Sequence, residues 1–319
     1  MASVYLDQVR MRRESKSYID SLHAVLTAAG LFDGPKYLLS GLTGMAFKFT
    51  VHERLLPLSV SAYGNWVDEH GAAVDNVGLL TDRDAVRTRY ATFRHYQRDA
   101  IEWTKRSLDR GIGVIYWIPE FGVIRGYDDE DGVFFVQDGT SGEDQIVLYD
   151  NLGLNFTGFW YGEAVADAIE VPLETMALES VRLALDDWTT PHKTLPNTDI
   201  GSGRLAYTFM TRALLKGDYD ASGARYIIQS YVYARNEIRQ YLNDISHLWP
   251  ELYEAWELYA AIGESFKGWE EADVSALVRA FETAAVLEQR AMEQFLRLSA
   301  RLSDPKRAVL PRWGKSTPR

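Results

Sequence analysis

Six histidines, His23, His52, His70, His95, His192 and His247, are the side chains best suited to proton transfer or metal ligation near neutral pH. None lies in an HExxH run, and no two share ligand spacing along a helix, so they predict no metal centre. Cysteine is absent. Disulfides, thiolate metal sites and a sulfur nucleophile are therefore excluded. His52 precedes Glu53 and has two readings: a partly buried structural histidine, or a base beside a cleft working with Glu53 and nearby tyrosines. His70, next to Asp68 and Glu69, reads as part of a solvated turn. The run Ser40-Gly41-Leu42-Thr43-Gly44 matches neither a phosphate loop nor GxGxxG, and Leu38 stands where a nucleophile elbow needs glycine. It reads either as a tight bend between helix and strand or as a pocket wall where backbone approaches a ligand closely. Asp218-Tyr219-Asp220-Ala221-Ser222-Gly223 opens like a calcium loop, but its twelfth position is Gln229, which leaves a helix N-cap and turn. No cofactor is expected.

The elements that would carry these residues fall into two halves. Ile19, Leu22, Val25, Leu26 and Ala29 have helical spacing, and Gly30 closes that helix. Met45, Phe47 and Phe49 alternate as a strand does. Residues 84–110 read as one charged amphipathic helix ended by Gly111. Four short β-rich runs follow, at 114–118, 121–127, 132–137 and 145–149, with the acidic cluster Asp128–Gly132 as a hairpin turn. From Leu173 onward the pattern is helical, at 173–186, 203–216, 221–246, 250–264 and 273–302, with Pro250 in a first turn. The fold class is α+β followed by an all-helical part. Trp117, Phe121 and Trp160 sit among aromatics that read mostly as core, while Trp117 and Trp160 also suit the walls of a cleft.

Three segments taken in order resemble a known family. They are Ser17–Leu22 through Gly30 and on to Leu39-Ser40-Gly41-Leu42-Thr43-Gly44-Met45-Ala46-Phe47, then Glu120-Phe121-Gly122-Val123-Ile124-Arg125-Gly126-Tyr127-Asp128-Asp129, then Val133–Asp138. Together they are similar to papain-like proteins of the double-glycine leader peptidase kind, and closer to the N-terminal domain family of the butirosin-biosynthesis acyltransferase. The resemblance covers residues 15–245. It implies a papain-like α+β domain over 1–172 followed by a helical domain over 173–302; the Lys and Arg content of the last residues marks 303–319 as a basic, flexible tail. It also implies a protein of bacterial secondary metabolism that handles an acyl or peptidyl group, of acyltransferase or amide-hydrolase type. The family's Cys falls on Ser17, its His on Glu120, and its strand-end Asp or Asn on Asp138.

If chemistry survives, Ser17 is the nucleophile, Glu120 the base and Asp138 the orienter. A hydroxyl needs stronger base assistance than a thiol, and a carboxylate pair raises one member's pKa, which predicts activity below neutral pH. Two further readings stand beside it. In one, Ser17 N-caps its helix, Glu120 is solvated, and the protein is a degenerate binding or scaffold module. In the other, chemistry has moved to His52, Glu53 or tyrosines. The expected pocket residues are Ser40, Gly41, Thr43, His52, Trp117 and Phe121.

Composition bounds the partners. The chain has 319 residues, 34 basic and 45 acidic side chains, a net charge of −11 and 46% hydrophobic residues, a globular composition. The acidic balance argues against nucleic acid. There is no apolar N-terminal run and no stretch of 18 apolar residues, so a cytoplasmic protein without a membrane partner is expected. A small-molecule or carrier-bound acyl or peptidyl substrate fits the family reading. Leu277, Phe281, Ala284, Leu287, Met292 and Phe295 make the last helix broad enough for a homodimer contact.

Overall fold

The structure is a computed structural model describing residues 2–194 and 198–304. The basic tail beyond Asp304 lies outside the described residues. The elements run β1 (Ser3–Tyr5), α1 (Ser17–Ala28), α2 (Lys36–Leu42), β2 (Thr50–His52), α3 (Trp66–Asn76), β3 (Leu79–Arg87), α4 (Phe93–Asp109), β4 (Val114–Trp117) and β5 (Phe121–Asp128). They continue with β6 (Val133–Gln137), β7 (Gln145–Leu148), β8 (Phe159–Ala168), α5 (Leu173–Thr189), β9 (Ile200–Ser202), α6 (Arg204–Lys216), α7 (Ala221–Ile245), α8 (Pro250–Ser265) and α9 (Val274–Arg301). The architecture is thus α+β. No helix among the described residues is long and apolar enough to cross a membrane.

The chain divides into two compact units, Met1–Ser40 with Val74–Val171, and Gly41–Ala73 with Pro172–Arg319. One break between the units falls at Val171/Pro172, and 41–73, expected in the first domain, folds with the C-terminal helices. Its three-residue β2 finds its ladder partner in β9, Val51 facing Gly201, and Phe49 packs against Tyr207 and Tyr231.

In the first unit an antiparallel sheet runs β3-β8-β4-β5-β6-β7, with β1 pairing the far end of β5. Alternation along β8 sorts its two faces. Tyr161 and Glu163 meet Phe121 and Tyr18 on the α1 side, whereas Trp160 and Gly162 meet Trp103 of α4. With both faces covered, β4 and most of β5 are buried throughout. Gly126 of the GYDD run sits at a register shift in β5, where a Cβ would lie 2.7 Å from the Val4 carbonyl oxygen, so only glycine lets β1 approach.

Three local expectations change. Residues 84–87 are not helical: they finish β3, which pairs with β8, so α4 starts only at Phe93. The charges of this stretch gave it an amphipathic look, and its partner lies too far along the chain for local pattern to reveal. Met45–Phe47 is a 3₁₀ turn, entered by Gly44 at φ 73°, and not a strand. Gly41 lies inside α2, so the glycine-rich run is no bend there.

The second unit is built around α9, which packs on α5, α6 and α8. Its core holds Phe47, Phe49, Tyr207, Tyr231, Tyr259, Phe281 and Phe295, all buried. Asp220 N-caps α7 by accepting the Gly223 N–H, which fulfils the cap reading of that loop.

Candidate functional site

Ser17 is the first residue of α1. The N-cap position is Lys16, which makes no side-chain cap bond, so the serine is not a cap. Its hydroxyl instead donates to Glu120 Oε2 at 2.5 Å, and its Oγ accepts the Phe121 N–H at 3.1 Å. The distance suits a hydroxyl donating to an ionised carboxylate. The N-terminal end of the α1 dipole favours negative charge beside it.

Glu120 reaches this position through a hairpin. Trp117 pairs with Phe121 across β4 and β5, leaving Ile118-Pro119-Glu120 as a three-residue loop closed by the Ile118 N–H on the Glu120 carbonyl at 2.9 Å. Such loops place their last residue in the left-handed region, where glycine is the usual occupant. Glu120 occupies it at φ 78°, a backbone cost of about 1–3 kcal/mol. It is 8% exposed and Ser17 is 2% exposed. The expectation of a solvated Glu120 is therefore corrected: the turn delivers its carboxylate inward.

Behind the pair, Phe121 is wedged edge-on among Tyr18, Tyr161 and Trp117 at centroid distances of 5.5, 5.6 and 5.0 Å. Buried Glu163 accepts the Tyr18 and Tyr161 hydroxyls at 2.9 and 2.7 Å, with Arg83 at 3.5 Å. Burial and the charge of Glu163 push the Tyr161 hydroxyl well above its ordinary range, so it stays a donor. Sequence reading missed Glu163. Its signal was a lone acid within the otherwise uncharged run Phe159–Val165.

Asp138 does not join the pair. Its Oδ1 accepts the Thr140 N–H and hydroxyl, both at 2.8 Å, and its Oδ2 accepts Gln145 Nε2 at 2.8 Å. Partial burial raises its pKa, but the Thr140 bonds and the charge of Arg13 outweigh it and hold the carboxyl below its usual range. As an orienter of Glu120 it is thus misplaced. The loop after β6 turns the side chain onto its own backbone.

The expected pocket residues also sort differently. Trp117, 2% exposed, donates its indole N–H to Thr157 and stacks on Phe159, while Phe121 is fully buried; both are core. Trp160 is likewise 2% exposed. Ser40 and Thr43 are buried, and Gly41 is covered by the Tyr241 ring. His52 is held at both nitrogens: Nδ1 accepts the Arg54 N–H at 3.0 Å and Nε2 faces Asp199 at 3.1 Å. That occupancy corrects its reading as a base. His70 is not in a solvated turn either. It lies in α3, fully buried, with the Tyr63 hydroxyl at 2.7 Å and Trp66 stacked on it, while Glu69 binds Lys48 and Lys193.

Compared with known proteins, the chain matches no protein-family model, and no curated protein is significantly similar to it.

Proposed function

We propose that this chain handles an acyl or peptidyl group, with Ser17 as nucleophile and Glu120 as its base. The observation that carries the reading is the 2.5 Å contact from the Ser17 hydroxyl to a carboxylate held on a left-handed backbone. Strain of this kind persists where surrounding structure enforces it, and it gathers at functional positions. In the reaction, Ser17 Oγ attacks the carbonyl carbon of an ester or amide as its proton passes to Glu120 Oε2. The carbonyl re-forms as the leaving group departs with that proton, leaving an acyl ester on Ser17. Water or an acceptor amine or alcohol then takes the acyl group, again with Glu120 as base. The order of segments shared with the papain-like acyltransferase family supports an acyl or peptidyl substrate.

The test uses the full chain with an alkyl fluorophosphonate, read by intact mass and peptide mapping. One adduct on Ser17 is expected, absent in Ser17→Ala and slowed by about a hundredfold or more in Glu120→Gln. A folded protein that leaves Ser17 unlabelled overturns the reading.

A second reading has its own support. Ser17 is 2% exposed, its Oγ already accepts the Phe121 N–H, and Asp138 is engaged elsewhere. These features suit a degenerate binding or scaffold module in which the pair pins α1 to the hairpin. It predicts no covalent adduct, and a fall in unfolding free energy of about 1.5–3 kcal/mol in Ser17→Ala.

A further inference from the structure

We infer that the segment Arg87–Arg98, together with the loop tip Leu154–Phe156, forms a site that lies on an anionic membrane surface. In a chain of net charge −11, residues 85–98 hold four arginines and no acid. Arg87, Arg89, Arg94 and Arg98 are all exposed, and none makes an ion pair among the described residues. Arg94 donates to Gln97 Oε1 at 2.6 Å and to the Asp150 carbonyl at 3.0 Å, and Arg98 approaches His95 Nδ1 at 2.7 Å. None of these partners is a carboxylate, so all four charges remain uncompensated by any carboxylate contact among the described residues. Asp84, Asp99 and Asp150 flank the surface without pairing to it.

The loop beside these arginines is fixed by backbone contacts. Thr88 N–H donates to the Gly158 carbonyl at 3.1 Å, Arg87 pairs with Phe159, and Gln97 Nε2 donates to the Asp150 and Leu152 carbonyls at 3.1 and 2.9 Å. Its tip carries Phe156 at 80% exposure and Leu154 at 46%, with Tyr90 at 51% on the neighbouring turn. An exposed Phe and Leu on a loop beside this arginine segment match what an interface asks for, apolar groups below the headgroups and cations at their level. A nucleic acid would use the arginines but leave Leu154 without a role, and an acidic peptide would leave an 80% exposed ring to a pocket it must supply. Binding along the surface needs no spanning helix, so the expectation of no membrane partner, drawn from the lack of an apolar span, does not reach this mode. The inference stands apart from the Ser17 reading, and its test uses no catalytic readout.

The test is flotation of the full chain with phosphatidylcholine vesicles, either pure or containing about a third phosphatidylglycerol. Binding is expected only with the anionic lipid, weakening as salt rises. Arg87→Glu combined with Arg89→Glu, and separately Leu154→Ser combined with Phe156→Ser, should each weaken it about tenfold or more. All four side chains are at the surface, so circular dichroism should be unchanged. Phe156→Trp should shift its emission to the blue when anionic vesicles are added. No binding to anionic vesicles overturns the inference, as does binding that either double variant leaves intact. Tighter binding to a single-stranded oligonucleotide or to polyglutamate at the same salt overturns it as well.

Discussion

Gly41 of α2 lies against the ring of Tyr241 of α7, where a Cβ at residue 41 would overlap the ring carbons. The ring has nowhere to go. Tyr241 is fully buried and its hydroxyl shares a hydrogen bond with Ser180 at 2.7 Å. The glycine therefore serves the close approach of a helix to an aromatic face, neither a bend nor a ligand wall. Gly41→Ala should lower the unfolding free energy by about 1–3 kcal/mol through overpacking. Gly142→Ala, with open space around its Cβ, should stay within about 0.5 kcal/mol of the parent. Urea titration of both variants checks this, and equal midpoints for the two would show that the ring yields.

Arg235 and Glu288 form an ion pair with side-chain exposures of 2% and 1%. The carboxylate also accepts the Tyr259 hydroxyl at 2.9 Å and the Tyr207 hydroxyl, so every charge in this part of the helical core is answered. Burial and the charge of Glu288 push Tyr207 and Tyr259 well above their ordinary range, which keeps both as donors. Glu288→Gln strands a guanidinium in the core and should cost about 3–5 kcal/mol, whereas Arg235→Met with Glu288→Leu should cost much less. Guanidinium denaturation of the single and double variants separates the two cases. A double variant as unstable as the single one would mean that the pair contributes net stability beyond answering its own charges.

A second buried cluster sets a pH dependence. Lys193 Nζ contacts Asp187 at 2.6 Å and Glu69 at 3.0 Å, and Lys48 Nζ contacts Glu69 at 2.5 Å and Asp187 at 3.0 Å. Burial pushes the Asp187 carboxyl up, but the two ammonium groups outweigh it and hold it below the ordinary 3.8. Burial pulls Lys193 down, and Asp187 and Glu69 outweigh that and raise it above 10.5. A depressed acid gives stability that is complete above 3.8 and is lost as pH falls through its lower folded value. A raised base gives stability that is complete below 10.5 and is lost as pH rises through its higher one. The stability gap between the parent and Asp187→Asn should therefore be flat from about pH 5 to pH 9 and close below about pH 4. Unfolding free energies across pH read this directly, and a gap that persists unchanged in acid would remove Asp187 from the cluster's energetics.

How far the chain could be read in advance follows from the range of each interaction. α5 to α9 carry their own 3.6-residue pattern, and Pro250 and Asp220 mark two of their starts, so local sequence suffices for them. The hairpins around Asp128–Gly132 are equally local. β3 escapes because its strand character comes from pairing with β8, with Val86 opposite Trp160 across 74 positions of chain. The Ser17–Glu120 contact spans 103 residues, and no local pattern links its two ends; only an expected resemblance in the order of segments set them side by side. That order could not foresee Asp138, whose carboxylate is captured by Thr140 two residues on, a purely local competition.

His52 offers the sharpest test of where chemistry resides. Its Nδ1 accepts a backbone N–H, so Nε2 carries the proton and donates it to Asp199, and neither nitrogen is left to receive one from a substrate. The ring fixes the turn after β2, where Leu55 sits at φ 54° and donates its N–H to the His52 carbonyl at 2.8 Å. His52→Ala should accordingly lower stability by about 1–3 kcal/mol, the cost of two lost hydrogen bonds at a half-buried site. Fluorophosphonate labelling of Ser17 should stay within about twofold of the parent. Labelling and thermal unfolding measured on the same sample keep the two effects apart. A folded His52→Ala protein that no longer labels would place the base at His52 and leave Glu120 as a structural partner of the serine.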